Sequence, residues 1–357
     1  MKILYLITGL GVGGAEKVVV DLADQMLKRG HQVKIAYLKG EPIVRPQNND
    51  IELIYLGFEN LKCLSYAYKN YKKILEKFQP DVVHAHMVHA NIFARISRVF
   101  IAVPKLICTA HNSNEGGQLR MLAYKVTNHL SDLNTNVSDE ASKSLIEKGA
   151  FNQNNLTTVY NGIDLQKFNK KKSSLKLNNR AINFICVGRF NPQKDYPNLF
   201  RAIVLLKNKV QDSKFKFSIV GDGVLRPELE ELIESLNISS YVELLGKRND
   251  IPDLLNAADF FVLPSKHEGL PTVVIEAMAC HTFVIATDCG GSAEIMGNTG
   301  ILVPPQNSEA LAQALKEAVE RTPLEIQENN FKARQRVEEI FSLEKSVQNW
   351  LKLYEQN

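Results

Sequence analysis

A chain of 357 residues exceeds the length over which one hydrophobic core keeps growing, so two domains of roughly 150 to 200 residues each are expected. At 45% hydrophobic and 23% charged residues the composition is that of a folded globular protein, which excludes extended disorder, and no run of 18 apolar residues is present to span a bilayer. The net charge is +4, and all of the excess falls in residues 1–165, where 19 Lys and Arg oppose 15 Asp and Glu, against 24 and 24 in 166–357; a local basic face follows, not the general basicity of a nucleic-acid binder.

The opening Ile3-Leu4-Tyr5-Leu6-Ile7 is too short, and too soon followed by glycine and charge, for a signal peptide; it reads as a buried strand. Apolar runs at 32–38, 51–56, 81–86, 105–110 and 133–137 follow, separated by stretches of helical period at 14–29, 62–78, 89–100, 118–130 and 138–148. That alternation is the pattern of βαβ units around a parallel sheet covered on both faces. After Asp164 it dissolves through Lys170-Lys171-Lys172-Ser173-Ser174, and a second series begins at Ile182, with strands near 182–188, 215–221, 241–246, 258–263, 282–287 and 300–303. The expected division is an N-terminal domain at 1–165, a linker at 166–180, a C-terminal domain at 181–340, and a helix in 341–357 free to pack back on the first domain. Two doubly wound domains facing each other would offer the carboxyl ends of their strands to a shared cleft. The five cysteines are odd in number and contain no Cys-x-x-Cys pair, which argues against a disulfide framework or zinc site and for a reduced, cytoplasmic setting.

Four segments carry candidate chemistry. Gly9-Leu10-Gly11-Val12-Gly13-Gly14 follows the first strand and opens a helix, so its backbone can approach an anion at the positive helix end; a tight structural turn would look the same. A dinucleotide site also wants an acidic residue at the end of the second strand, where Tyr37-Leu38-Lys39 stands instead. In Val187-Gly188-Arg189-Phe190-Asn191-Pro192-Gln193-Lys194, two cations after one strand can converge on a diphosphate, or can be solvated loop charges. In Glu268-Gly269-Leu270-Pro271-Thr272-Val273-Val274-Ile275-Glu276, Pro271-Thr272 begins a helix whose amides can face a phosphate while the carboxylates meet sugar hydroxyls; alternatively Glu268 is solvated and Glu276 helps cap the helix. His84 and His86 lie at a strand's carboxyl end and are expected on opposite faces, so that one alone points at substrate, while an ordinary packed histidine fits the pattern equally well.

Gly11-Val12-Gly13-Gly14-Ala15-Glu16, Val187-Gly188-Arg189 with Lys194, Gly221-Asp222-Gly223, Leu245-Gly246 and Glu268-x7-Glu276, in this order, resemble the family 4 retaining glycosyltransferases, and the resemblance covers nearly the whole chain. It implies a GT-B fold, two Rossmann-like doubly wound α/β domains facing across a cleft. It implies that Arg189 and Lys194 bind the donor diphosphate, that Gly13 and Gly14 approach it from the other domain, and that Glu268 holds donor-sugar hydroxyls while Glu276 contacts the ribose. Gly246, Lys247, Gly269, Leu270, Pro271 and Thr272 complete the donor side. The histidine of a Thr-x-His segment matches His111, which would contact the sugar near its anomeric centre, with His86 and Asn112 on the acceptor side. No Asp-x-Asp occurs, so no metal and no other cofactor is expected. The leaving-group charge would be met by Arg189, Lys194 and helix amides. The resemblance further implies reaction on one face of the sugar, with Glu268 positioning and not attacking.

The donor expected is a nucleotide sugar, UDP-linked by the family's habit, with a GDP-linked sugar as the alternative. Lys62, Lys69, Lys72, Lys73 and Lys77 share a helix with Tyr66, Tyr68 and Tyr71, and Arg95 and Arg98 lie between Phe93 and Phe100. Basic residues interleaved with aromatics suit an anionic membrane surface, as they also suit a solvated helix face. On the first reading the protein sits peripherally on the cytoplasmic face and its acceptor is a saccharide, in particular a lipid-linked one. An epimerase of the same fold and a non-catalytic nucleotide-sugar binder are the rival readings.

Overall fold

The computed structural model describes residues 1–112, 116–171, 181–209 and 214–356. The chain divides into two compact units, Met1–Gly162 with Leu343–Asn357, and Ile163–Ser342.

Unit 1 alternates β1 (Lys2–Ile7), α1 (Gly14–Lys28), β2 (Gln32–Tyr37), β3 (Glu52–Tyr55), α2 (Leu64–Phe78), β4 (Val82–His86) and α3 (Val88–Arg98). It continues through β5 (Leu106–Ala110), α4 (Gln118–Thr127), β6 (Leu133–Asn136), α5 (Asp139–Glu147) and β7 (Thr157–Thr158). The seven strands are parallel in the order β3-β2-β1-β4-β5-β6-β7, so the winding reverses between β1 and β4. β4 and β5 are buried at every position, as strands covered on both faces must be. One face packs α1 into a core with Ile3, Tyr5, Ile7 and Trp350; the other packs α2 and α3 against Leu4, Leu6, Val83 and Ala85.

Unit 2 runs β8 (Ile182–Val187), α6 (Tyr196–Lys209), β9 (Phe215–Val220), α7 (Arg226–Ser235), β10 (Val242–Gly246), α8 (Ile251–Ala257) and β11 (Phe260–Leu263). Then come α9 (Thr272–Ala279), β12 (Phe283–Thr287), α10 (Ser292–Met296), β13 (Ile301–Val303), α11 (Ser308–Glu320) and α12 (Pro323–Ile340). The six parallel strands are ordered β10-β9-β8-β11-β12-β13, with the reversal between β8 and β11. Phe184, Phe217, Phe260 and Phe283 fill the core under the sheet. Start signals are local: Thr322 and Glu325 form a reciprocal capping box at α12.

Residues 163–171, read partly as linker from sequence, are tied into unit 2. The Lys171 amide donates to Asn256 Oδ1 at 2.8 Å and Arg334 donates to the Phe168 carbonyl at 2.8 Å. The rest of that polar segment, 172–180, lies outside the described residues. The final helix, α13 (Leu343–Glu355), belongs to unit 1, where Val347, Trp350 and Tyr354 are buried against α1 and β1.

Candidate active site

Ligands of open α/β sheets bind beyond the carboxyl ends of the strands where the winding reverses. In unit 2 that point lies between β8 and β11, and the two segments leaving those strands carry Arg189 with Lys194 and Glu268 with Glu276. Lys194 Nζ stands 2.6 Å from Glu268 Oε1, both side chains 15% exposed, and the Ser265 hydroxyl donates to the same oxygen at 2.6 Å. The pair is set by its backbone. Asn191 accepts from the Lys194 amide at 3.2 Å and fixes the turn that Pro192 opens, while the Lys266 amide donates to the Gln193 carbonyl at 2.9 Å and ties the two loops together. Beneath them the buried Tyr196 hydroxyl donates to the Gly188 carbonyl at 3.1 Å.

Glycines let neighbouring loops close over this point. A Cβ on Gly221, whose φ is +147°, would overlap the Gly188 carbonyl, and one on Gly290, φ +56°, would stand 2.5 Å from the Glu268 carbonyl. The Gly291 amide donates to the Gly269 carbonyl at 2.7 Å, and Thr287 donates to the Ser265 carbonyl at 2.5 Å. Arg189, two residues past the end of β8, is exposed and makes no ion pair among the described residues, so its guanidinium is available to an anion. Leu270 and Pro271 are buried, and α9 begins at Thr272 with Glu276 one turn in and half-buried. Gly246, at φ +67°, ends β10 and accepts from the Gly221 amide at 2.9 Å; Lys247 beyond it is exposed. Ser265, Tyr196 and Gly290 are site residues that the sequence reading passes over. Ser265 and Tyr196 act through partners three and eight positions away and Gly290 through a loop 22 positions away, and no motif of residue type marks any of them.

In unit 1 the glycine-rich loop leads into α1 with Gly13 extended before the first turn. The Glu16 carboxylate folds back against Gly13, as an acid at a helix N-terminus should, and Gly14 has nothing within 4 Å of where a Cβ would be. The two histidines of β4 correct the sequence reading. Strands repeat every two residues, so His84 and His86 share a face, and their rings lie 3.9 Å apart. Both are 0% exposed, which removes His86 from any direct contact with an acceptor.

His84 bonds to the Tyr354 hydroxyl and to the Thr109 hydroxyl, each at 2.7 Å, under Trp350. His86 Nδ1 lies 3.0 Å from His111 Nε2, so His86 can act only through His111, which is 8% exposed and precedes the exposed Asn112. Burial lowers all three imidazoles: His84 and His86 fall well below 6.5, their neighbours' charge adding to the effect, and His111 falls to about 4. At neutral pH His111 is therefore an uncharged hydrogen-bonding group. Among the described residues no group of three or more His, Cys, Asp or Glu could hold a metal, all five cysteines are free, and no helix is long and apolar enough to cross a membrane.

The basic surface is also redrawn. Lys62, Lys69, Lys72, Lys73 and Lys77 are exposed, but Tyr71 and Phe93 are core residues. Arg95 is fully buried over Tyr124 and Phe151, and Arg98 pairs with Asp132 at 2.7 Å, so neither arginine joins the lysines. Exposed apolar side chains lie on α4 and at the end of α3. α4 buries Met121, Tyr124 and Thr127, and its opposite side presents Leu119, Leu122 and Val126 at 83%, 55% and 56% exposure, flanked by exposed Arg120 and Lys125. Ile96, Val99 and Phe100 at the end of the neighbouring α3 are exposed too.

Comparison with known proteins matches both halves in order. The model of Glycosyltransferase Family 4 matches residues 12–167 and that of Glycosyl transferases group 1 matches 181–321. The chain is 30% identical over 319 residues to an Escherichia coli UDP-Gal:alpha-D-GlcNAc-diphosphoundecaprenol alpha-1,3-galactosyltransferase, covering 83% of this chain and 79% of that one. It is 28% identical to a Campylobacter jejuni N-acetylgalactosamine-N,N'-diacetylbacillosaminyl-diphospho-undecaprenol 4-alpha-N-acetylgalactosaminyltransferase, with 89% and 90% covered. Among solved structures, Anabaena HepE in complex with UDP-glucose superposes with a TM-score of 0.83 at 21% identity, covering 99% of each chain. A sucrose-phosphate synthase from Thermosynechococcus elongatus gives 0.87 at 21%, covering 99% and 98%. With its two parallel sheets matching GT-B enzymes and a relative at 30% identity along most of both chains, the protein is a glycosyltransferase and belongs to family 4.

Proposed function

We propose that the enzyme is a retaining, metal-independent transferase that moves a hexosyl or N-acetylhexosaminyl group from a UDP-sugar to a saccharide carried on a lipid diphosphate, in cell-envelope polysaccharide or glycolipid synthesis. The observation that carries this reading is the Lys194–Glu268 contact at the switch point of unit 2, with an exposed Arg189 on the same loop as Lys194. A cation already neutralised by a carboxylate can exchange it for a phosphate. When the donor enters, Lys194 and Arg189 take the diphosphate, α9's first amides add the positive end of their helix, and Glu268 turns to the sugar hydroxyls. Glu276, one turn into α9, meets the ribose. The bond from the anomeric carbon to the phosphate breaks as the acceptor oxygen bonds on the same face, and the acceptor's proton passes to the departing phosphate oxygen. Neutral His111 serves this step as a hydrogen-bond partner, not as a cationic acid.

The acceptor class is supported by relatives named for diphosphoundecaprenol-linked acceptors. It is supported as well by the exposed lysines of α2 and the exposed apolar stripe of α4, cations for anionic headgroups and apolar groups for the acyl boundary. The test is transfer from UDP-galactose, UDP-glucose and their N-acetylhexosamine counterparts to a short-chain polyprenyl diphospho-GlcNAc, run in EDTA, with the product's anomeric configuration read by NMR. An α product formed undiminished in EDTA is expected. A β product, or activity abolished by EDTA and restored by a divalent metal, would overturn the mechanism.

A further inference from the structure

Of the three buried imidazoles in unit 1, the proposed reaction uses His111 alone, yet the three are held as one group. His86 pairs in register with Thr109 across β4 and β5, and His111 lies two residues beyond Thr109, so the period of two turns His84, His86 and His111 to one side of the sheet. Tyr5 of β1 joins them there, its ring centre 5.8 and 5.9 Å from those of His84 and His86, and α13 covers them with Trp350, 4.4 Å from His84. Directly after His86 the chain turns. Met87 takes a φ of +74°, a strained value for a residue with a side chain, and its amide donates to the Thr109 carbonyl at 3.0 Å, so β4 and β5 stay paired up to the point where His111 emerges.

Hydrogen bonds distinguish the rings. Both nitrogens of His84 are engaged, by the Tyr354 and Thr109 hydroxyls, so His84 meets His86 only through its ring, the centres 3.9 Å apart. His86 has one polar partner among the described residues: its Nδ1 lies 3.0 Å from His111 Nε2, while its Nε2 is buried without any. One of the two facing nitrogens must carry the proton. If it were His111 Nε2, a neutral His86 would carry its own proton on Nε2, and an N–H would be buried among aromatic rings with no acceptor. With the proton on His86 Nδ1 the group left over is a lone pair, and the ring's single N–H is bonded. Orphaned buried N–H groups are rarer than under-used acceptors, so the packing selects the second arrangement. Burial and the neighbouring imidazoles hold His86 uncharged, which removes the doubly protonated form. His111, neutral as well and accepting at Nε2, then carries its proton on Nδ1.

Resting on the proposed reaction, we infer that His86 is a positioning residue: it donates from Nδ1 to His111 Nε2 and so fixes His111 as the Nδ1–H tautomer, which meets the transferred sugar as a hydrogen-bond donor. In protein carrying isotopically labelled histidine, proton–nitrogen multiple-bond correlation spectra separate protonated from bare ring nitrogens, and the His111 signals are those lost in His111→Gln. Wild-type His111 should show a protonated Nδ1 and a bare Nε2, with and without UDP. In His86→Leu that single pattern should give way to a mixture of tautomers, and kcat should fall about tenfold while KM for the nucleotide sugar stays within about twofold, one oriented hydrogen bond being lost at the reacting sugar. His86→Asn, whose amide nitrogen can stand where Nδ1 stood, should recover kcat to within about threefold of wild type. The wild-type spectrum decides the tautomer even if His86→Leu does not fold. A wild-type His111 protonated on Nε2, or a His86→Leu with tautomer pattern and kcat unchanged, would overturn the inference. A wild type that showed the Nδ1–H pattern but transferred no sugar would instead sink the proposed reaction, and with it the donor role of His111, leaving the tautomer in place.

Discussion

Lys194→Ala should weaken nucleotide binding and Glu268→Gln should not, although both remove the same contact. At 2.6 Å and an effective dielectric near 20, the gross attraction between the two charges is about 6 kcal/mol. Desolvation cancels much of that, and stripping one partner from a fully buried pair costs about 3–5 kcal/mol because the other charge is left behind. Here each side chain keeps 15% of its exposure and Ser265 still donates to Glu268, so about 2 kcal/mol is expected for Lys194→Ala. Spread over unit 2, residues 163 to 342, that is a fall of about 4–8 °C in the melting transition. UDP affinity, measured by calorimetric titration, should weaken about tenfold in Lys194→Ala, one charge-assisted phosphate bond being lost. In Glu268→Gln the lysine is released from its competitor, so UDP should bind as tightly as in wild type or up to about tenfold more tightly. Transfer should nevertheless fall by about 10²–10³ in both. If Glu268→Gln weakened UDP as much as Lys194→Ala does, the carboxylate would be part of the nucleotide's own binding set, and the exchange of partners argued here would be wrong.

Arg189→Ala should weaken UDP about tenfold with no change in melting temperature, because its side chain is exposed and makes no ion pair among the described residues; a lowered melting point would show a structural role instead. Gly221→Ala must push its Cβ into the Gly188 carbonyl at a φ of +147°, which should destabilise unit 2 by about 3 kcal/mol and be visible in urea denaturation. Acid should unfold unit 1 early. His111 is neutral down to about 4 in the fold and titrates near 6.5 when unfolded, so the unfolded chain binds more protons and stability falls as pH drops through that window. The loss from His111 alone is about 2 kcal/mol between pH 6.5 and 4.5, with His84 and His86 adding in the same sense; a melting temperature flat over that range would contradict the buried cluster. Leu119→Asp with Leu122→Asp should abolish flotation on phosphatidylglycerol liposomes while leaving the fold unaltered by circular dichroism, and flotation indifferent to the change would dismiss α4 as the contact.

The strands were legible because a parallel strand buried on both faces writes itself as a continuous apolar run: 282–287 reads as a strand, and β12 is buried throughout. β7, two threonines long, carries no such run and escapes. Side-chain direction was harder. Misjudging the period of β4 put His84 and His86 on opposite faces, and Arg95, charged and therefore read as surface, shares with Asn91 the i, i+4 face that α3 buries. α4 is apolar on two sides, and periodicity cannot say which of Met121 and Leu122 looks inward. Arg189, Lys194, Glu268 and Glu276 stand out by type and spacing along the chain, whereas that Ser265 and Lys194 meet on one carboxylate oxygen is a fact of three-dimensional packing alone.

The position of α13 gives the chain an uneven order of assembly. Unit 2 is one continuous stretch from 163 to 342, whereas the core of unit 1 is closed by Val347, Trp350 and Tyr354, and Tyr354 also supplies a partner to the buried His84. During synthesis the first-made domain must therefore wait, its inner surface open, until the second has been made and residues 343 to 356 arrive. Ribosome-bound chains stopped before residue 343 should show a protease-resistant second domain beside a first that is still digested.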